Sequence, residues 1–232
     1  MIRGFYTAGS GLACQQMAMD NTANNIANVN TTGFKKQRVR FGQLLYSNLG
    51  TQDGGIQNLK VGNGVRAAEI TTNHARNGFV HTGNELDFAL DCEGYFGVIT
   101  NQGVRYTRDG TFYISYEQSG NYLVTASGGY VAGKDGGRVL VDGEDLQSKI
   151  GIFNFSNPTG LDKGGDNLFV ATERSGEAYA ADGTVRAGYI EMSNVDMVGE
   201  MSDLIAIQKA FQFNAKMIQT ADEIENIINN LR

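Results

Sequence analysis

MIRGFYTAGSGLACQQMAMDNTANNIANV, residues 1–29, carries an apolar repeat that alternates steps of three and four: Ile2, Phe5, Gly9, Leu12, Gln16, Met19, Ala23, Ile26. At the helical period this spacing draws one stripe along a helix and calls for a second helix to pack on it. The other end of the chain repeats the pattern through Leu204, Ile207, Phe211, Asn214, Ile218 and Ala221, then, after a shift, through Ile224, Ile228 and Leu231. The sequence predicts two long terminal helices paired as a coiled coil.

The two helices differ in charge. Up to Phe34 the first has only Arg3 and Asp20, and its other faces hold Ala8, Ser10, Ala13, Ala18, Ala27 and several asparagines. A surface helix normally shows a charged outer face, so this one is expected to be walled in by more partners than one chain supplies. Asn21, Asn24, Asn25 and Asn28 fall three and four apart and form one stripe. Asparagine is a poor helix former, and the stripe reads as amides bonded to neighbouring helices. The competing reading is a fraying last turn that runs into Asn30-Thr31-Thr32-Gly33, with Gly33 as a left-handed stop. Gly9-Ser10-Gly11 permits close helix approach. The second helix keeps one side wet with Asp196, Glu200, Asp203, Lys209, Lys216, Asp222, Glu223 and Glu225. Its acidic first turns suit the positive end of the dipole, and Asn194 or Ser193 is expected to cap it.

Between the helices the chain reads as β. Short runs at 87–90, 95–100, 111–116, 122–125, 138–141, 150–155 and 168–172 are bounded by Gly, Asn and Asp. Asp109-Gly110, Asp142-Gly143 and Asp182-Gly183 are hairpin-type pairs. The fold class expected is α+β: terminal helices at 1–34 and 195–232, an extended arm over 35–70, and a mostly antiparallel β domain over 71–194.

Composition excludes several functions. The chain has 232 residues, 19% of them charged, with a net charge of -6, which gives no electrostatic footprint for nucleic acid. No run approaches the length of a membrane span. No basic-led apolar leader with a cleavage site is visible, so the chain is expected either to stay in the cytosol or to leave by a route that reads no cleavable signal. Cys14 and Cys92, placed in a helix and a strand, are not expected to form a disulfide. His74 and His81 have no Cys or carboxylate at ligand spacing and read as exposed loop histidines. GGYVAGKD (128–135) approaches a phosphate loop but puts Asp135 where a Ser or Thr is needed, and glycines where a helix must start. DKGGDN (162–167) lacks the ligands of a calcium loop. Both read as turns. No catalytic residue, cofactor or metal is expected, and the chain is not read as an enzyme.

Five stretches together resemble the bacterial flagellar rod and hook family, most closely its basal-body rod proteins. They are ANNIANVNTTGFKKQR (23–38), TGNELDFALDCEGYFGV (82–98), YTRDGTF (106–112), FSNPTGLDKGGDNLFVATERSG (155–176) and GYIEMSNVDMVGEMSDLIAIQKAFQFNAKMIQTAD (188–222). The resemblance implies a structural axial subunit whose paired terminal helices stack with those of neighbours into a helical tube around an export channel. Its partners would be further copies, related rod and hook subunits, and the flagellar type III export gate, with no nucleic acid and no membrane insertion. Its place would be the basal body, outside the cytoplasm, reached without a cleaved signal peptide. Phe41-Gly-Gln-Leu-Leu45 looks like the family's export-gate motif, carried by Phe41 and Leu45, and Ile2 and Phe5 match its N-terminal apolar signal. The interface residues implied are Ile2, Phe5, Leu12, Met19, Asn21, Asn24, Asn25, Ile26 and Asn28 on the first helix. On the second they are Leu204, Ile207, Phe211, Asn214, Ile218, Ile224 and Ile228. The short centre resembles a rod more than a hook. GNGVR (62–66) looks like distal rod, while the brevity of 129–150 leaves the proximal rod protein as the alternative. Two rivals come from other classes: a stalked adhesin-like module, which would need the charged outer face that the first helix lacks, and a β-sheet hydrolase with helical oligomerisation ends, which would need a nucleophile with a base in reach where only two histidines stand.

Overall fold

The structure is a computed structural model that describes residues 3–48, 60–118, 120–142 and 145–231. It divides into two compact units. The helical unit comprises Met1–Ala27, Gln37–Thr72 and Asp196–Arg232; the β unit comprises Asn28–Lys36 and Asn73–Val195. Residues 37–72, which take in nearly all of the separate arm expected over 35–70, group with the helices. Residues 28–36 group with the β strands.

In the helical unit α1 (Arg3–Ala27) packs along α3 (Met197–Asn230). The pairing is antiparallel. Asn25 bonds Glu200, and a Cβ at Gly11 would lie 2.9 Å from Asn214 Nδ2, so that in both pairs the residue numbers sum to 225. On that register Arg3, where α1 begins, stands level with Asp222, and the last two turns of α3 run on past it. Asp196 caps α3 by accepting from the Val198 amide at 3.2 Å. The cap expected from Ser193 or Asn194 therefore lies three or two residues too early. Gln37–Gln43 and Val65–Thr72 form an antiparallel ribbon with a register shift between Arg40 and Phe41. This ribbon lies on α1. Its Val65 carbonyl accepts from Cys14 Sγ (3.6 Å) and its Val65 amide donates to Ser10 Oγ (3.3 Å). Gly64 sits so close that a Cβ there would lie 2.2 Å from Ser10 Oγ, with φ at +103°.

The β unit is antiparallel throughout. Its main sheet runs Asp162–Lys163, Leu168–Val170, Gly103–Thr107, Tyr95–Thr100, Tyr130–Val131, Gly120–Thr125 and Phe112–Glu117, with Ile152–Asn154 joining Tyr95–Thr100 to Tyr179–Ala180. Two short ladders complete it: Phe88–Leu90 with Val185–Ala187, and Phe79–His81 with Tyr189–Glu191. A one-turn helix, α2, covers Leu146–Lys149. The main core gathers Phe88, Leu90, Phe96, Phe112, Leu123, Val131, Ile150 and Ile152. A second cluster holds Tyr95, Tyr106, Phe155, Leu161 and Phe169. Asp109-Gly110 and Asp182-Gly183 do not close hairpins, because their flanking strands pair elsewhere. Asp109 instead accepts from Thr111, and Gly110 lies against the Phe88 carbonyl, where no Cβ fits. Gly143 of the third pair lies outside the described residues. Residues 138–141 form only isolated bridges. The stretch 128–135 holds a two-residue strand and a turn, and 162–167 ends in a turn with Asp166 and Asn167 at positive φ.

Candidate subunit interface

The seam expected on α3 is where the helix is covered. Leu204, Ile207, Phe211, Asn214 and Ile218 are half-buried and Ala221 is buried, while Ile224, Ile228 and Leu231 are exposed past the start of α1. On α1 the buried face falls elsewhere. Ala8, Gly11, Cys14, Ala18, Thr22 and Asn25 are buried, all but Cys14 one position before a member of the expected stripe. The helices and the ribbon approach on this small-residue face because short side chains let backbones come close. The large residues are left at the margin: Leu12, Met19 and Ile26 are half-buried, and Phe5 is 46% exposed. Ile2 lies outside the described residues. Phe5, Leu12, Met19 and Ile26 recur every seven residues.

The asparagine stripe divides. Asn25 is 2% exposed and is held by its own chain: its Oδ1 accepts from the Gln37 amide (3.0 Å), and its Nδ2 donates to the Gln37 carbonyl (2.8 Å) and to Glu200 Oε2 (3.1 Å). Asn28 falls in the turn past α1, where its Oδ1 accepts from Thr31 Oγ1 at 3.1 Å. Asn21 is half-buried and Asn24 exposed. Within one chain, α1 already has two neighbours, α3 and the ribbon.

What remains open is apolar. Among the described residues, seventeen large apolar side chains are exposed on the helical unit: seven between Phe5 and Ile70, and ten between Met197 and Leu231. The β unit, with more residues, exposes seven among those described. On α3 the exposed set includes Val198, Met201, Ile205, Phe213 and Met217, away from the seam residues, so α3 carries an apolar stripe among the charges expected to keep that side wet. On the ribbon Phe41 is 45% exposed, and just past its first strand Leu45 is 89% exposed. Burial of such side chains is worth roughly 25 cal/mol per Å², and exposed apolar residues in this number point to an interaction surface.

A separate cluster, missed by the sequence reading, fixes the loop after α1 within the β unit. Lys35 is fully buried; its Nζ bonds Glu191 Oε1 at 2.6 Å and donates to the Ala75 carbonyl at 2.9 Å. Arg108 reaches the other oxygen of Glu191 at 3.2 Å and lies over the Tyr95 ring. Two cations thus share one buried carboxylate. Burial lowers the Lys35 pKa against the opposing pull of Glu191. Tyr95 bonds His74 Nδ1 at 2.6 Å, and burial pushes the Tyr95 pKa to about 12. Burial, then Lys35, Arg108 and Lys163, hold the His74 pKa down at about 4, so His74 is not the exposed loop histidine expected. Burial lowers Lys163 to about 8 while its Nζ donates to the Lys35 carbonyl. Gly33, at φ +64°, lies where a Cβ would meet the Arg108 backbone at 2.4 Å. The clue in the sequence was Gly33-Phe34-Lys35: a glycine stop followed at once by a buried aromatic and a lysine. Both cysteines are free. Among the described residues no cluster of His, Cys, Asp and Glu is placed to hold a metal ion, and no helix is long and apolar enough to cross a membrane.

Residues 5–35 match the family model described as flagella basal body rod protein, and residues 186–231 match flagellar basal body rod FlgEFG protein C-terminal. The flagellar basal-body rod protein FlgG of Bacillus subtilis (strain 168) is 37% identical over 266 aligned residues, covering 100% of both chains. The FlgG of Agrobacterium fabrum is 34% identical and covers 98% of each. The flagellar basal-body rod protein FlgF of Caulobacter vibrioides is 32% identical, over 89% of this chain and 88% of its own.

Proposed function

This chain belongs to the flagellar basal-body rod protein family, as a structural subunit of the flagellar rod, and from that premise we propose that it builds the distal rod. Copies assemble through their terminal units into a helical tube that carries torque from motor to hook and encloses the export channel. Relatives named FlgG match along their whole length, which supports the distal place over the proximal one.

The observation that carries this reading is the exposed apolar surface of the helical unit. The α1 stripe of Phe5, Leu12, Met19 and Ile26 and the outer stripe of α3 are different surfaces on one chain. Contact between unlike surfaces on successive copies is heterologous, and when it does not close it yields a filament. Seam and stripe residues, with Asn21 and Asn24, are the interface under this reading. The type III export gate would read Phe41 and Leu45, both of which stand exposed.

Replacing Leu12→Asp and Met19→Asp together tests it. Both side chains are half-exposed, so the purified variant should keep its far-ultraviolet circular dichroism and yet fail to form sedimentable polymer where the unaltered chain polymerises. Normal polymerisation of the double variant would remove the stripe from the interface.

A further inference from the structure

The geometry points to a second copy's ribbon as the seat for the overhanging end of α3. The proposal rests on the rod reading above and names one contact within it. The overhang is defined by register: the described part of α1 begins level with Asp222, so among the described residues no helix of the same chain lies beside Ile224, Ile227, Ile228 and Leu231, which are 51% to 82% exposed. Glu223 and Glu225 stand among them, also exposed. The end is therefore apolar and acidic.

One face of the ribbon has the complementary charge. Arg38, Arg40 and Arg66 are exposed on it, while Phe41 and Ile70 are exposed on the other face. Arg40 pairs with Glu69 at 2.9 Å, which leaves Arg38 and Arg66 to meet an outside carboxylate. The ribbon lies on α1 between the levels of Ser10, beside Val65, and Asn25, beside Gln37. The overhang begins beyond Arg3, about 10 Å further along at about 1.5 Å per residue. One chain cannot bring these two surfaces together. Two copies stacked end on can, each offering its overhang to the next and its ribbon to the one before. That arrangement repeats without closing, and paired rim charges of this kind fix register more than they add affinity.

Sedimentation of purified chain against concentration tests the contact by charge exchange. Glu223→Lys with Glu225→Lys should raise the critical concentration for polymer roughly tenfold while leaving the circular dichroism melt unchanged. Adding Arg38→Glu and Arg66→Glu to the same chain restores opposite signs and should bring the value back to within about threefold of the unaltered chain. Ile228→Asp, which alters no ribbon residue, should also weaken polymer. Two results overturn the contact: a lysine variant that polymerises like the parent, or a fourfold variant that recovers nothing. If the unaltered chain never polymerises, the rod reading itself fails, and that outcome is distinct from either.

Discussion

Asn25 fixes three partners with one amide: both backbone groups of Gln37 and the carboxylate of Glu200. Its importance was legible from spacing alone, because an asparagine in a helix needs a reason. Its partner was not legible, since periodicity does not say whether the next helix belongs to the same chain. His74 makes the clearest prediction at this scale. The folded protein keeps it neutral down to about pH 4, whereas an unfolded imidazole accepts a proton near 6.5. The unfolded state therefore binds more protons between those values, so stability is full above about pH 6.5 and falls as pH drops toward 4. The loss should be of order 2–3 kcal/mol. Urea unfolding of the β unit at pH 7 and pH 4.5 would measure it, and His74→Gln should flatten that slope against the general acid loss from carboxylates.

Gly64 governs how an entire element lies. Its positive φ and its approach to Ser10 seat the ribbon on α1. Gly64→Ala must move the ribbon or the helix, and should cost about 1–3 kcal/mol. The readout is amide exchange at Val65, whose N–H donates to Ser10 Oγ; unchanged protection there would mean the ribbon is held by other contacts. The elements also show what a hydrophobic pattern can and cannot locate. On α3 the expected seam coincides with the covered face from Leu204 to Ala221, where large side chains fill it, and not at Ile224, Ile228 and Leu231, which stand exposed. The α1 seam was displaced because Ala8, Gly11 and Ala18, which pack best between helix backbones, are invisible to a search for large apolar residues. Tyr95–Thr100 was read to its ends, since buried strands announce themselves as unbroken apolar runs. The Asp-Gly pairs misled, because the same dipeptide serves tight crossings between non-adjacent strands. For the buried cluster the sequence offers only the hint of Gly33-Phe34-Lys35, and the partners Arg108 and Glu191 are not legible: charged residues are assigned to solvent until a structure brings their partners together from across the chain.

At the scale of the molecule the two units are unequal in how their surfaces are satisfied. The β unit has a closed core of ten buried apolar side chains, whereas the helical unit buries mainly small ones and leaves its large ones outside. Local stability follows buried apolar contact. In dilute monomer, hydrogen exchange should be slowest across 88–152, faster through α1 and α3, and fastest at 223–230, with the terminal amides slowing sharply on polymerisation. Equal protection of α1 and the β core in monomer would contradict this. The route of the backbone carries a mechanical meaning as well. The chain passes from one unit to the other four times, after Ala27, Lys36, Thr72 and Val195. A body joined by a single strand can swivel freely about it. One joined by four must wind them around each other to turn, so rotation imposed on one unit is handed to the other by covalent bonds before any surface has to grip.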